Sequence, residues 1–134
     1  MTPEEELIWV AGFFDGEGNI SILRQFWFIA HHRGKNPIYG LNVAISNTNY
    51  DSILLVSKIF GGRIYPQGQK RIVFVWKPGT WRETNTFLSS IYPYSIIKKK
   101  QIELALQFLQ LPSRVHNKKD KQSLVMREQF YRDR

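Results

Sequence analysis

An α+β fold built on an antiparallel sheet is predicted by three features of the chain. Period-two hydrophobic stretches come as neighbouring pairs joined by short polar loops, not singly with helix-length crossovers. Helical-period segments precede, divide and follow those pairs, in the order α-β-β-α-β-β-α-α-α, which places helices on one face of the sheet. The first helix is apolar on nearly every side, so it belongs in an interior and not on a protein surface.

The first helix has a clear start. Thr2 can cap it, Pro3 suits its first position, Glu5 completes a capping box, and Glu4, Glu5 and Glu6 complement the positive end of its dipole. It continues through Leu7, Ile8, Val10, Ala11 and Phe14, with Gly16 placed to stop it in a left-handed conformation. Alternation follows from Asn19 to Phe28: Ile20, Ile22, Phe26 and Phe28 share one face, while Asn19, Ser21, Leu23, Gln25 and Trp27 share the other. Residues 31–37, His-His-Arg-Gly-Lys-Asn-Pro, read as a loop. From Ile38 to Ser46, Leu41, Val43 and Ile45 alternate with Gly40, Asn42, Ala44 and Ser46. Asn49 to Phe60 has helical spacing and is closed by Gly61-Gly62. Arg63 to Tyr65 and Arg71 to Lys77 form a hairpin around residues 66–70, with Ile72, Phe74 and Trp76 facing inward and Arg71, Val73, Val75 and Lys77 outward. Trp81 to Ile91 is a helix broken before Pro93, Ile96 to Leu111 a longer one with Pro112 beyond it, and Asp120 to Tyr131 a short last one.

The chain of 134 residues suits a single domain over 1–134. The absence of cysteine excludes disulfides, thiol nucleophiles and cysteine-held zinc. No apolar run approaches the ~20 residues needed to span a membrane. The acidic start is unlike a basic signal or transit peptide. The net charge is +8 with a pI near 9.9, and it is unevenly spread. Residues 1–60 hold four Lys/Arg against six Asp/Glu, whereas residues 61–134 hold fifteen against five. A basic domain with 14% aromatic residues points to a polyanionic partner, most often nucleic acid. The outward sheet positions, rich in Asn, Ser, Gln, Arg and Lys, suit a surface that lies along a nucleic-acid groove.

Val10-Ala11-Gly12-Phe13-Phe14-Asp15-Gly16-Glu17-Gly18 carries the chemistry. An apolar helix ends in two carboxylates, although a helix C-terminus carries partial negative charge and disfavours them. Positive charge is therefore expected near Asp15 and Glu17, and a divalent metal ion would supply it. Ala11-Gly12 would let another backbone approach closely.

This stretch resembles the signature of the LAGLIDADG homing endonucleases. Ala11-Gly12 and Asp15-Gly16-Glu17-Gly18 match it directly, and Val10, Phe13 and Phe14 fill its apolar positions. Phe87-Leu88, Pro93, Lys98-Lys99-Lys100-Gln101 and Leu111-Pro112-Ser113 extend the resemblance to the later helices, so it covers nearly the whole chain. It implies an α-β-β-α-β-β-α core whose antiparallel, saddle-like sheet faces DNA, with the helices on the other side. One copy of the motif implies a homodimer sharing one site, with Val10, Ala11, Gly12 and Phe14 at the seam. The implied activity is site-specific hydrolysis of double-stranded DNA at a long, roughly palindromic target, using Mg2+ or another divalent cation such as Mn2+. A non-cleaving intron maturase or nucleic-acid-binding regulator on the same fold is the alternative.

The resemblance further implies Glu17 as the metal-binding carboxylate and the Gly16 carbonyl as a second ligand. Asp15 is read first as an acceptor for backbone N–H groups, of a partner helix or of its own turn, and second as a metal ligand. Lys98 stands where the family has a lysine near the scissile phosphate, Gln101 would orient water, and Asn47 matches a water-organising position. Asp51 departs from relatives that carry a basic residue there, which puts the peripheral catalytic set in question. Base reading would fall to Asn19, Ser21, Gln25, Asn42, Ser46, Arg71 and Lys77, joined by Trp27, Tyr65 and Gln67. Phosphate contacts would come from Arg33, Lys35, Lys70, Arg114, Lys118, Lys119 and Lys121, with His31 and His32 contacting backbone or solvent. The expected location is the compartment that holds its own gene, an organelle or a prokaryotic cytoplasm, without secretion or membrane attachment.

Overall fold

A computed structural model describes residues 1–29, 32–111 and 132. Helix α1 spans Pro3–Glu17. Its capping box forms as expected: Thr2 Oγ1 accepts from the Glu5 N–H at 3.2 Å, and Glu5 Oε1 accepts from the Thr2 N–H at 2.9 Å. The helix passes straight into strand β1, Gly18–Ile29. Gly18 already has extended backbone while its N–H still donates to the Phe14 carbonyl. Gly16 remains helical; the glycines with positive φ among the described residues are Gly61, Gly62 and Gly68. The glycine that the end of α1 requires is Gly18, for a steric reason. A Cβ there would lie 2.2 Å from the Phe14 ring and 2.6 Å from the Phe14 carbonyl oxygen.

Strand β2 runs His32–Asn47, so residues 32–37 belong to a strand and not to a loop. They extend the β1–β2 ladder as far as Ile29 opposite His32, with the register broken between Phe26 and Phe28. The turn-forming residues Gly34 and Asn36 fall in the break, while Pro37, Arg33 and His32 pair with a strongly β-forming strand. The break falls beside the Phe26–Pro37 rung, where proline has no N–H to give.

Helix α2, Tyr50–Phe60, is capped by Asn49, whose side chain accepts from the Ser52 N–H at 2.8 Å. Gly61 and Gly62, at φ 73° and 83°, turn the chain into β3, Arg63–Gln67. Strand β4 is Val73–Lys77 and helix α3 is Trp81–Ile91, capped by Thr80. A 3-10 turn at Tyr92–Tyr94 leads to α4, Lys99–Gln110. The last helix anticipated, 120–131, lies outside the described residues. None of the described helices is long and apolar enough to cross a membrane.

The sheet is antiparallel throughout, in the order β1-β2-β4-β3. The helices share its inner face, as the paired-strand pattern predicted. Phe87 of α3 is the hub of the core: its ring centroid lies 5.3 Å from that of Phe14, 4.9 Å from Phe60 and 4.8 Å from Trp76. Four elements therefore meet on one aromatic cluster. Trp76 also donates its Nε1–H to the Gly61 carbonyl at 2.7 Å, so its burial leaves no orphan donor. A smaller cluster of Ile22, Tyr39 and Phe108 seats α4 on the β1–β2 ribbon.

In β4 the register puts Phe74 and Trp76 on the helix side and Val73, Val75 and Lys77 on the other, as expected, and only Ile72 departs from the pattern. Ile72 precedes the strand and is 53% exposed, while Val75 is buried although it points away from the helices. Val75 lies on a central strand between Ser46 and Tyr65, whose side chains flank it. Replacing Gly18 by alanine should lower stability by ~1–3 kcal/mol, because the new methyl meets backbone as well as the Phe14 ring. Urea unfolding of the two proteins measures this.

Candidate active site

Both acids of the α1 terminus are placed by the same short segment, and they differ completely in environment. Asp15 is buried. Its Oδ1 accepts from Ser95 Oγ at 2.5 Å and from the Lys98 N–H at 3.1 Å. Its Oδ2 accepts from the N–H groups of Ile96 at 2.7 Å and Ile97 at 3.2 Å. Those N–H groups precede α4, whose N-cap residue Lys98 has no capping side chain of its own. Asp15 thus serves as the cap of α4 from 80 residues away in the chain, a carboxylate at a helix N-terminus. Burial disfavours its charge, but the bonds from Ser95, Ile96, Lys98 and Ile97 outweigh this and hold its carboxyl below the usual 3.8.

Both oxygens of Asp15 are engaged by protein donors within its own protomer, in line with its first reading as an acceptor of backbone N–H groups, although the donors belong to the start of α4 and not to a partner helix or its own turn. One expectation is corrected by this arrangement. Helix α4 begins at Lys99 and not at Ile96, because residues 96–98 turn to present their N–H groups to Asp15. Their side chains are left outside: Ile96 is 85% and Ile97 75% exposed.

Lys98 returns toward α1 a second time. Its Nζ donates to the Asp15 carbonyl at 2.7 Å, which places an ammonium at the negative end of a helix with no basic residue in its last turn. The positive charge expected there is supplied by this chain. Glu17, two residues on, is exposed and makes no hydrogen bond or ion pair to another described residue. The Gly16 carbonyl lies in the last turn, beyond the reach of helical N–H donors. A carboxylate and a carbonyl free of protein donors are hard oxygen ligands suited to a divalent cation. Among the described residues no cluster of three or more His, Asp or Glu could hold a metal within one protomer.

The other anticipated site residues gather at the same end of the molecule. Gly18 pairs with Ile45, so β2 ends at Asn47 level with the end of α1. The Asn47 Oδ1 accepts from the Asn49 N–H at 2.8 Å, so the side chain shapes the turn into α2. Gln101 and Asp51 are exposed in the first turns of α4 and α2.

The anticipated seam residues Val10, Ala11 and Phe14 are fully buried in the protomer's own core. They cannot form an outer contact. A helix turning 100° per residue puts Ile8, Gly12 and Gly16 on its opposite side, where Ile8 is 49% exposed. Among the described residues, a Cβ added at Gly12 or Gly16 would meet nothing within 4 Å.

On the sheet face turned from the helices, the register aligns Asn19, Ser21, Asn42, Ser46, Tyr65, Gln67 and Lys77 as anticipated. Lys77 lies over the Tyr65 ring, with Nζ 5.8 Å from its centroid. Arg63, opposite Lys77, joins this face and was missed, although its two-residue spacing from Tyr65 carries the signal. Lys70 and Arg71 are exposed in the β3–β4 connection, so Arg71 is not a strand position. The side chains of Gln25, Trp27, Arg33 and Lys35 lie outside the described set, as do His31, Arg114, Lys118, Lys119 and Lys121 altogether.

No protein-family model and no curated protein matches the chain. Solved structures do. The homing endonuclease I-CvuI, in complex with the I-CreI target, superposes with a TM-score of 0.78 at 19% identity, over 98% of this chain and 80% of that one. I-TnaI, a homing endonuclease, gives 0.70 at 16% identity over 99% and 87%. The archaeal intron-encoded homing endonuclease I-Vdi141I, complexed with DNA, gives 0.62 at 20% identity over 79% and 67%. The chain has the LAGLIDADG homing endonuclease fold.

Asp15→Asn should cost ~2–3 kcal/mol at neutral pH, since an amide turns N–H groups toward buried donors. A lowered carboxyl pKa stabilises the fold above the unfolded value of 3.8, and that contribution fades as pH falls through the folded value. The stability gap between wild type and Asp15→Asn should therefore shrink on acidification, as read by denaturant unfolding from pH 7 to pH 3.

Proposed function

We propose that the protein is a homodimeric, divalent-metal-dependent, site-specific DNA endonuclease of the LAGLIDADG homing type. The observation that carries this reading is the pairing at the end of α1 of a donor-free carboxylate, Glu17, with an ammonium fixed at Asp15, where the chain enters a sheet with a polar and basic open face. A protein that only bound nucleic acid would have no use for that pair. The resemblance of the whole fold to DNA-bound endonucleases agrees with it.

Glu17 and the Gly16 carbonyl would hold Mg2+ or Mn2+, for which oxygen donors are suited. Such an ion, when bound, activates water and offsets charge on the phosphate undergoing hydrolysis. Lys98 spends one of its three N–H donors on the Asp15 carbonyl, leaving two for a phosphate oxygen. Because the ammonium is already fixed, little reorganisation is needed as charge builds on that oxygen. Asp15 takes no part in the chemistry and holds Lys98 in place. Asn47 and Gln101 border the site and remain candidates for ordering water.

One protomer offers two oxygen ligands, so a second copy is needed to complete the site. The outward ridge of α1 suits that role. Exposed helical glycine costs ~1 kcal/mol relative to alanine, and neither Gly12 nor Gly16 is required by its own protomer. Their bare ridge would let two α1 helices approach until both Glu17 side chains converge, with Ile8 covered between them.

With Mg2+ and a randomised duplex library, the wild type should cut a narrow set of sites, while Glu17→Gln should bind those sites and leave them intact. Binding without cleavage by the wild type would favour the maturase alternative. Light scattering should give a dimer mass. Gly12→Arg has room to fold, and should yield a folded monomer that does not cut; a folded, active monomer would defeat the shared site.

A further inference from the structure

Leu23 is an anomaly on the open face of the sheet. It shares that face with Asn19 and Ser21, yet it is a large aliphatic side chain, 43% exposed. Its cross-strand partner is Gly40, where an added Cβ would meet nothing within 4 Å. Among the described residues, the Gly40 side of Leu23 is therefore left open. Half-buried Ile38 lies on its diagonal, about 7–8 Å away by strand geometry, and makes the spot more apolar. The next rung toward α1 is polar, Ser21 opposite Asn42.

Resting on the nuclease reading, we propose that Leu23, beside the gap at Gly40, selects a thymine by contact with its 5-methyl group in the major groove. Thymine is the one base whose major-groove edge carries a methyl group; adenine and guanine show donors and acceptors there, and cytosine an N4 donor beside a bare C5–H. Leucine can pair with none of those, and pressing it onto them would strip water from polar atoms without replacement. The gap at Gly40 gives the base edge room to approach. The position in the target follows from the strand. Leu23 is six residues beyond Glu17, which at ~3.3 Å per residue is about 20 Å, or roughly six base pairs at 3.4 Å each. The dimer's two-fold axis would repeat the contact in the other half-site.

The test starts from the cut sites recovered from the randomised library. Thymine should be enriched on one strand about six base pairs from the cut region in each half. Deoxyuridine then replaces that thymine in a selected duplex, removing only the methyl group, and binding is measured by fluorescence anisotropy without divalent metal. Wild type should bind the deoxyuridine duplex about 3–5-fold more weakly, as expected for loss of one buried methyl. Leu23→Ala should bind the two duplexes equally, and Leu23→Gln should move the preference at that position to adenine. Equal binding of thymine and deoxyuridine duplexes by the wild type, or no base preference within two base pairs of that position, overturns the assignment and leaves the nuclease reading standing. Failure of the wild type to bind or cut any member of the library overturns the nuclease reading, and this assignment with it.

Discussion

The carboxylate of Asp15 is the constraint on which the site depends. It joins the end of α1 to the beginning of α4 by four hydrogen bonds, from one side chain and three successive backbone N–H groups. A buried charge is tolerated only when its acceptor capacity is met, and here the donors are the orphan N–H groups that every helix N-terminus presents. Each end resolves a defect of the other. Helix α4 lacks a capping side chain, and α1 ends in carboxylates without a basic residue to balance them. Lys98 completes the exchange by returning its ammonium to the Asp15 carbonyl. Loss of Asp15 would therefore release a helix end and a cation together.

The same economy governs α1 as a whole. One side, through Val10, Ala11 and Phe14, is consumed by the protomer's core around Phe87. The other carries half-exposed Ile8 and the glycines 12 and 16, where an added Cβ would meet nothing within 4 Å among the described residues. Ile96 and Ile97, exposed because their N–H groups are held by Asp15, add apolar surface at the same end of the molecule.

Local signals in the sequence were sufficient wherever a single short-range interaction decides the outcome. The capping box at Thr2 and Glu5, the Asn49 cap of α2, the Gly61-Gly62 stop and the bounds of α3 are all of this kind. Long-range interactions decided the rest. Lys98-Lys99-Lys100 has helical character, yet α4 starts at Lys99 because a residue 83 positions earlier takes the preceding N–H. Residues 32–37 enter a strand because the facing strand pairs with His32, Arg33 and Pro37 on either side of a register break. Val10, Ala11 and Phe14 were expected at a seam and instead fill the core, because apolar residues surround α1 and periodicity cannot say which side a core will take.

The motif's two acids illustrate why composition and spacing reach the chemistry before they reach the geometry. Asp15 and Glu17 have the same charge and stand two residues apart, which on a helix rotates them about 200° relative to each other. Asp15 is the buried one, and Glu17, the last residue of the helix, is exposed. The inward acid finds donors, is saturated and becomes structural. The exposed one has no partner among the described residues, and a carboxylate of that kind beside the last-turn Gly16 carbonyl is the part able to take a cation. The glycine between them adds no side chain to compete for that space, and Gly18 beyond them lets the chain turn into the strand without striking Phe14. The motif thus fixes which acid stays exposed, and the fold that Asp15 anchors fixes where it stands.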